Sequence, residues 1–174
     1  MLKGENVYLK SMERQDVYIL FDICEDSHVR KYNSYHSSLP DKKFILDNFH
    51  IVKRANKNTL TIVSEKDIVI GFINYQIKSE YACTIGITLG RRFWGRGYGK
   101  DSIITLVNFL FDEKDIEEIE IEVAIPNVRA INCYESCGFT KGKINKNSFK
   151  TDTGYLDTIN MHLYKEQFYK EDIV

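Results

Sequence analysis

The sequence predicts a mixed α+β fold on a mostly antiparallel central sheet, and three observations carry that prediction. Ile119, Ile121, Val123 and Ile125 alternate with Glu118, Glu120 and Glu122, the period-2 signature of a strand with one buried face. Two β-branched and aromatic runs, Thr59 to Val63 and Ile68 to Ile77, flank Glu65-Lys66-Asp67 and read as a hairpin. Between these regions, Ile103, Leu106, Val107, Leu110 and Phe111 recur at helical spacing.

The other elements follow in chain order. Val7 to Lys10 reads as a short opening strand. From Arg14 to Glu25, apolar Val17, Leu20, Phe21 and Cys24 mark a helix. Asn33 to Lys42 is polar and turn-rich, and a second helix then carries Phe44, Ile45, Phe49 and Val52. After the hairpin and the polar turn at Ser79-Glu80, Ala82 to Leu89 forms a third sequential antiparallel strand. The amphipathic helix ends at Asp112-Glu113-Lys114. Pro126-Asn127 stops the alternating strand and opens another helix, Val128 to Ser136, closed by Cys137-Gly138. Phe139 to Ile144 and Tyr155 to Leu163 are closing strands, joined by a polar loop with Gly154. No repeat, linker or shift of composition divides the chain, so residues 1–174 are expected to form one domain.

Composition excludes several function classes. The 24 basic and 25 acidic residues give a net charge of -1, unlike the strongly basic footprint of a nucleic-acid binder. A hydrophobic content of 43% with 28% charged residues is ordinary soluble composition. The 4 cysteines, Cys24, Cys83, Cys133 and Cys137, form no CxxC pair, and the 4 histidines are scattered, so no metal site is expected. Cys133 and Cys137 stand one helical turn apart, where burial or a free thiol is favoured over a bridge. The amino terminus lacks the apolar run of a signal peptide, and no apolar stretch is long enough to span a bilayer. Free thiols without an export signal point to a reducing cytoplasm.

The main chemical signal is the loop Gly90 to Lys100. Gly95, Gly97 and Gly99 alternate between a strand and a helix start, where backbone approaches closely and unpaired N–H groups with a positive dipole favour phosphate. Arg92 and Arg96 add positive charge. The dinucleotide fingerprint fails because Lys100 stands at its last glycine position. A Walker loop fails because Trp94 replaces its first glycine and Asp101 its Ser or Thr.

Arg92-Phe93-Trp94-Gly95-Arg96-Gly97 matches an R/Q-x-x-G-x-G/A signature. Downstream, the residues from Asn127 to Phe139 follow N-x-x-A-x-x-x-Y-x-x-x-G-F, one helix and one strand later. With both motifs at this separation, the chain resembles the GCN5-related N-acetyltransferases, and within them the ribosomal-protein-alanine and spermidine acetyltransferase-like branch. That resemblance implies acetyl-coenzyme A as cosubstrate, no metal, and central strands that splay apart to admit the pantetheine arm. The implied coenzyme contacts are Ile87, Thr88 and Leu89 on the strand, Arg92, Gly95, Arg96, Gly97, Tyr98, Gly99 and Lys100 on the loop, and Asn127 and Asn132 beyond. Tyr134 matches the family's usual general acid. Substrate contacts are implied near Tyr32, Tyr35 and His36.

Amine acetylation needs a neutral amine, a held oxyanion and a proton for the departing thiolate. A phenol near pKa 10 can protonate a thiolate near 8.5, and a backbone N–H near Ile87 would hold the oxyanion. A primary amine is mostly protonated at pH 7, which costs roughly 4 kcal/mol for the reactive form. In the branch named above, the strand before the loop often reads A-E-I-G, whereas this chain has Cys83-Thr84-Ile85-Gly86. The base is therefore open among Glu80, Glu122 and His36. No cysteine occupies the nucleophile position, so transfer is expected to be direct, with Cys83 a buried strand residue. The acceptor stays open among a small amine, a polyamine and a peptide amino terminus. Spermidine acetyltransferases carry paired glutamates where this chain has Asn33-Ser34. A second reading, favoured by Thr84, is a coenzyme-A-binding sensor without catalysis. No nucleic acid or membrane partner is expected; a homodimer is compatible, but nothing names its interface.

Overall fold

The computed structural model describes residues 1–32, 41–151 and 154–170. Its frame is one eight-stranded sheet in the order β1-β2-β3-β4-β5-β6-β8-β7. The first half comprises β1 (Leu2–Lys3), β2 (Val7–Ser11), β3 (Thr59–Ser64), β4 (Val69–Ile77) and β5 (Ala82–Leu89), all antiparallel. The hairpin between β3 and β4 turns at Asp67, whose φ of 58° is the left-handed conformation that Asp tolerates in turns. The second half is β6 (Glu118–Ala124), β7 (Thr140–Thr151) and β8 (Gly154–Tyr164). Among the described residues only β5 and β6 run parallel, because helix α5 crosses between them.

Helices cover both faces. α1 (Asp16–Glu25) and α2 (Ser27–Arg30) lie on one face, where Leu20, Ile23, Cys24 and Val29 pack with Phe72. α3 (Lys42–Asp47) and α4 (Phe49–Ala55) follow. On the opposite face, α5 (Tyr98–Glu113) buries Ile103, Leu106, Leu110 and Phe111 against Ile73, Ile85, Ile119 and Met161. α6 (Val128–Glu135) adds Ile131 and Tyr134 to that core, and α7 (Lys165–Lys170) lays Phe168 on Phe111 at 5.7 Å between ring centroids. Asp101, the residue that disqualifies a Walker loop, accepts from the N–H groups of Glu5 (3.1 Å) and Asn6 (2.6 Å) and fastens the β1–β2 turn to α5.

Two expectations need correction. The second helix is broken into α3 and α4 at Asn48, whose side-chain amide donates to the Phe44 carbonyl at 2.9 Å and ends the first piece. The stretch after Ile144 is strand rather than loop, since β7 extends to Thr151. It was illegible because β7 is an outer strand with mostly exposed side chains, so no hydrophobic alternation marks it. The short elements β1, α2 and α7 carry too few residues to show a period. All four cysteines are free thiols, and Cys83 is buried on β5 as expected.

Candidate active site

β5 and β6 pair only at Ala82↔Glu118, Cys83↔Ile119 and Thr84↔Glu120. Beyond those rungs β5 continues along β4 to Leu89, opposite Gly71, and β6 continues along β8 to Ala124, opposite Thr158. The sheet is therefore open between the ends of β5 and β6. The resulting cleft has a volume of about 670 Å³. It passes through the sheet: Ile121 and Val123, buried on the α5 face, line it, and so does Glu122 on the other.

Strand alternation decides which backbone groups face the gap. The Gly90 N–H donates to Ile70 O across β4 at 2.9 Å, so Thr88 also turns toward β4 while Ile87 and Leu89 turn toward the opening. The Leu89 carbonyl is already taken by the Trp94 indole N–H at 2.8 Å. Ile87 therefore offers the gap-facing peptide groups that no side chain occupies among those described. A buried strand edge needs partners for its amides, and an extended amide-bearing arm would supply them.

At the wide end of the cleft the chain makes a 3-10 turn at Arg91–Phe93 and then enters the glycine loop. Gly95 (φ 69°) and Gly97 (φ 82°) are left-handed, and an added Cβ at either would meet no atom within 4 Å. The loop thus presents bare backbone to the cleft, with Gly97 as the N-cap of α5. The first amides of that 16-residue helix point at whatever lies there, as an anionic phosphate requires. Lys100 lines the same wall. Arg129 of α6 stacks its guanidinium 3.3 Å from the Trp94 ring centre, bridging the two sides of the cleft mouth. The Tyr32 hydroxyl donates to Pro126 O at 3.3 Å and forms a second bridge.

Of the residues named from sequence, Ile87, Thr88, Leu89, Gly95, Gly97, Gly99, Lys100, Asn127, Asn132, Tyr134 and Tyr32 line the cleft. Arg92, Arg96 and Tyr98 do not. Arg92 lies over the Phe93 ring at 4.8 Å, and the Tyr98 hydroxyl donates to Glu65 at 3.2 Å. Tyr35 and His36 lie outside the described residues. Glu80 sits in the exposed turn after β4, away from the cleft, while Thr84 sits at the last rung, below the opening. Sequence reasoning missed Asn74, Phe149 and Thr158, which also line the cleft. Asn74 is one polar residue within β4, and nothing in the polar stretch of β7 and β8 signals Phe149 or Thr158.

Two ionisable side chains of the cleft are suited to proton transfer. Tyr134 is 7% exposed, and burial pushes its phenol well above the ordinary range, with Arg129 opposing. It therefore carries its proton throughout the neutral range. Glu122 is exposed to the cleft, and one of its oxygens accepts from the hydroxyl of Thr158. Beside Tyr134, the hydrogen bond between Cys133 and Cys137 holds the Cys133 thiol below its usual range, helped by Arg129 and Lys100, and pushes Cys137 up.

Residues 6–140 match the model of the acetyltransferase (GNAT) domain. The chain belongs to the GNAT acetyltransferase family. It transfers acetyl from acetyl-coenzyme A to an amine. The acetyltransferase is 25% identical over 174 residues to an uncharacterised N-acetyltransferase, p20, of Bacillus licheniformis, covering 96% of this chain and 97% of that one. It is 22% identical over 167 residues to the spermidine N(1)-acetyltransferase of Vibrio cholerae, covering 92% and 94%. The fold superposes with a TM-score of 0.82, at 17% identity and over 94% of this chain and 98% of the other, on the crystal structure of spermidine N-acetyltransferase from Vibrio cholerae in complex with CoA and spermine. The expected splayed sheet is the fold of this acetyltransferase. Among the described residues no helix is long and apolar enough to cross a membrane.

Proposed function

We propose that this acetyltransferase acts on a small cationic primary amine of the polyamine class, with Glu122 as proton acceptor and Tyr134 as proton donor. One observation carries the reading: Glu122 and Tyr134 enter the same opening from opposite faces of the sheet, with the Ile87 backbone on its edge. The coenzyme's pantetheine arm fits the free edge of β5, and its pyrophosphate fits the bare amides of Gly95 to Gly99 with Lys100 beside them. The acetyl group so placed reaches the narrow part of the cleft. Glu122 takes the amine proton there, directly or through water, which lowers the cost of presenting a neutral amine. The Ile87 N–H faces the carbonyl oxygen as charge develops on it. Tyr134 gives its proton to the departing thiolate. Acetyl passes directly to the amine without an intermediate on Cys83, which is 1% exposed and whose thiol is pushed up to about 12 by burial.

The acceptor class rests on the open face of β6, where Glu118, Glu120 and Glu122 stand in one row, and on the extent of likeness to the Vibrio enzyme. The same reading makes residues 1–174 one catalytic domain working in the cytoplasm without nucleic acid or membrane. Sedimentation of the purified chain decides between monomer and homodimer. The function is tested by a thiol-release assay over spermidine, spermine, monoamines and a peptide amino terminus, alongside calorimetry with acetyl-coenzyme A. Release with polyamines above the others is expected. Release only with the peptide would replace the acceptor class, and binding without release for every amine would favour a coenzyme-A sensor.

A further inference from the structure

Glu122 is held from behind by one hydroxyl, itself backed by a second, and nothing in the motifs announces either. Thr158 of β8 is 2% exposed and donates its only proton to one Glu122 oxygen. Its own oxygen then accepts, and the Ser148 hydroxyl of β7, 2.6 Å away, shares its single proton between that oxygen and the Asn145 carbonyl, to which it donates at 3.0 Å. Ser148 reaches Thr158 because β7 is irregular at this point. The register with β8 shifts between Asn145 and Phe149, and Asn147 takes a left-handed φ of 51°. Asp157 braces the irregularity, accepting from the Asn147 N–H at 2.9 Å and from Lys146 at 2.7 Å. A bulge beside a site commonly re-aims a side chain.

Resting on the reading of Glu122 as proton acceptor, we propose that the Ser148–Thr158 hydroxyl pair, set by the β7 bulge, positions that carboxylate so that its other oxygen faces the acceptor amine. The pair fixes one oxygen of Glu122, and a fixed base gains rate because small displacements of reacting groups are costly. Other charged or titratable groups around Glu122 are Glu118 and Glu120 on β6, His162 and Asp157 on β8, Lys146 on β7, Cys133, Tyr134 and Arg129 on α6, Lys100 on α5, and His28 and Tyr32 near α2. His162 is engaged with Glu118 at 2.8 Å and Lys146 with Asp157, so among the described residues the direct hold on Glu122 is Thr158.

The test is a double-mutant cycle on the full chain with spermidine and acetyl-coenzyme A. Thr158→Val, which keeps side-chain shape, is expected to lower kcat roughly 10- to 100-fold with the acetyl-coenzyme A KM unchanged. Thr158→Ser restores the hydroxyl and most of the rate, and Ser148→Ala gives a smaller fall in the same direction. In a Glu122→Gln background, Thr158→Val is expected to have no further effect. The inference is overturned by a Thr158→Val enzyme at wild-type kcat, by failure of Thr158→Ser to rescue, or by an equal loss in the Glu122→Gln background. Glu122→Gln at wild-type kcat would instead remove the reading of Glu122 as base, and the inference with it.

Discussion

Tyr134 combines core packing with a place in the cleft wall. Its ring sits 6.1 Å from Phe139 in the core while its edge reaches the cleft, and burial raises its phenol pKa. Tyr134→Phe keeps the ring and removes the proton, so turnover should fall roughly 10²- to 10⁴-fold while calorimetric affinity for acetyl-coenzyme A stays unchanged. The same shift has a stability consequence. The unfolded phenol ionises near pH 10 and the folded one higher, so the contribution is intact below pH 10 and is lost as pH rises beyond it. Thermal melts of wild type and Tyr134→Phe between pH 8 and 11 should differ in slope only above about pH 10. The thiols divide in the same way. Burial pushes Cys24 up to about 11, whereas Cys133 faces the cleft with a lowered pKa. Alkylation followed by mass spectrometry should mark Cys133 first, and saturating acetyl-coenzyme A should protect it.

At the scale of elements, the glycine loop and α5 are the part most legible beforehand. Helical spacing gave α5 its buried stripe, and the alternating glycines gave its N-terminal turn. Gly97→Val should abolish coenzyme binding by calorimetry, because φ of 82° is strained for a β-branched residue. Retained affinity would dismiss the phosphate role of the loop. The motif could place Gly95 and Tyr134 in the cleft, because strand, loop and helix order dictates where those positions fall. It did not show that Arg92 lies over Phe93 or that Tyr98 bonds Glu65, since those directions depend on the 3-10 turn and on a partner 33 residues away. Nor could sequence find Thr158 or Ser148. Their closeness to Glu122 arises from register across β7 and β8, and β7, polar and mostly exposed, has no hydrophobic pattern to fix that register. The candidate base illustrates both sides: Glu122 stood among three alternatives, and the strand pairing sets it in the opening, away from Glu80.

For the whole molecule, the sheet is two sets of strands joined at one end by three residue pairs. Acetyl-coenzyme A, binding the folded chain alone, should stabilise it by about 2.7 kcal/mol at a hundredfold excess over Kd. That corresponds to a rise in Tm of roughly 5–10 °C for a chain of this size, measurable by scanning calorimetry. The far end of the opening is closed by side chains: Arg129 on Trp94, and Tyr32 on Pro126. Viewed mechanically, the two sets of strands form a clasp, hinged at the backbone rungs and latched by a cation on an indole. Hinge and latch then divide the work: the rungs fix where the jaws begin, and the latch governs how readily they part. Loosening the latch with Arg129→Ala should quicken release of the coenzyme in stopped-flow traces, leaving the hinge and the fold in place.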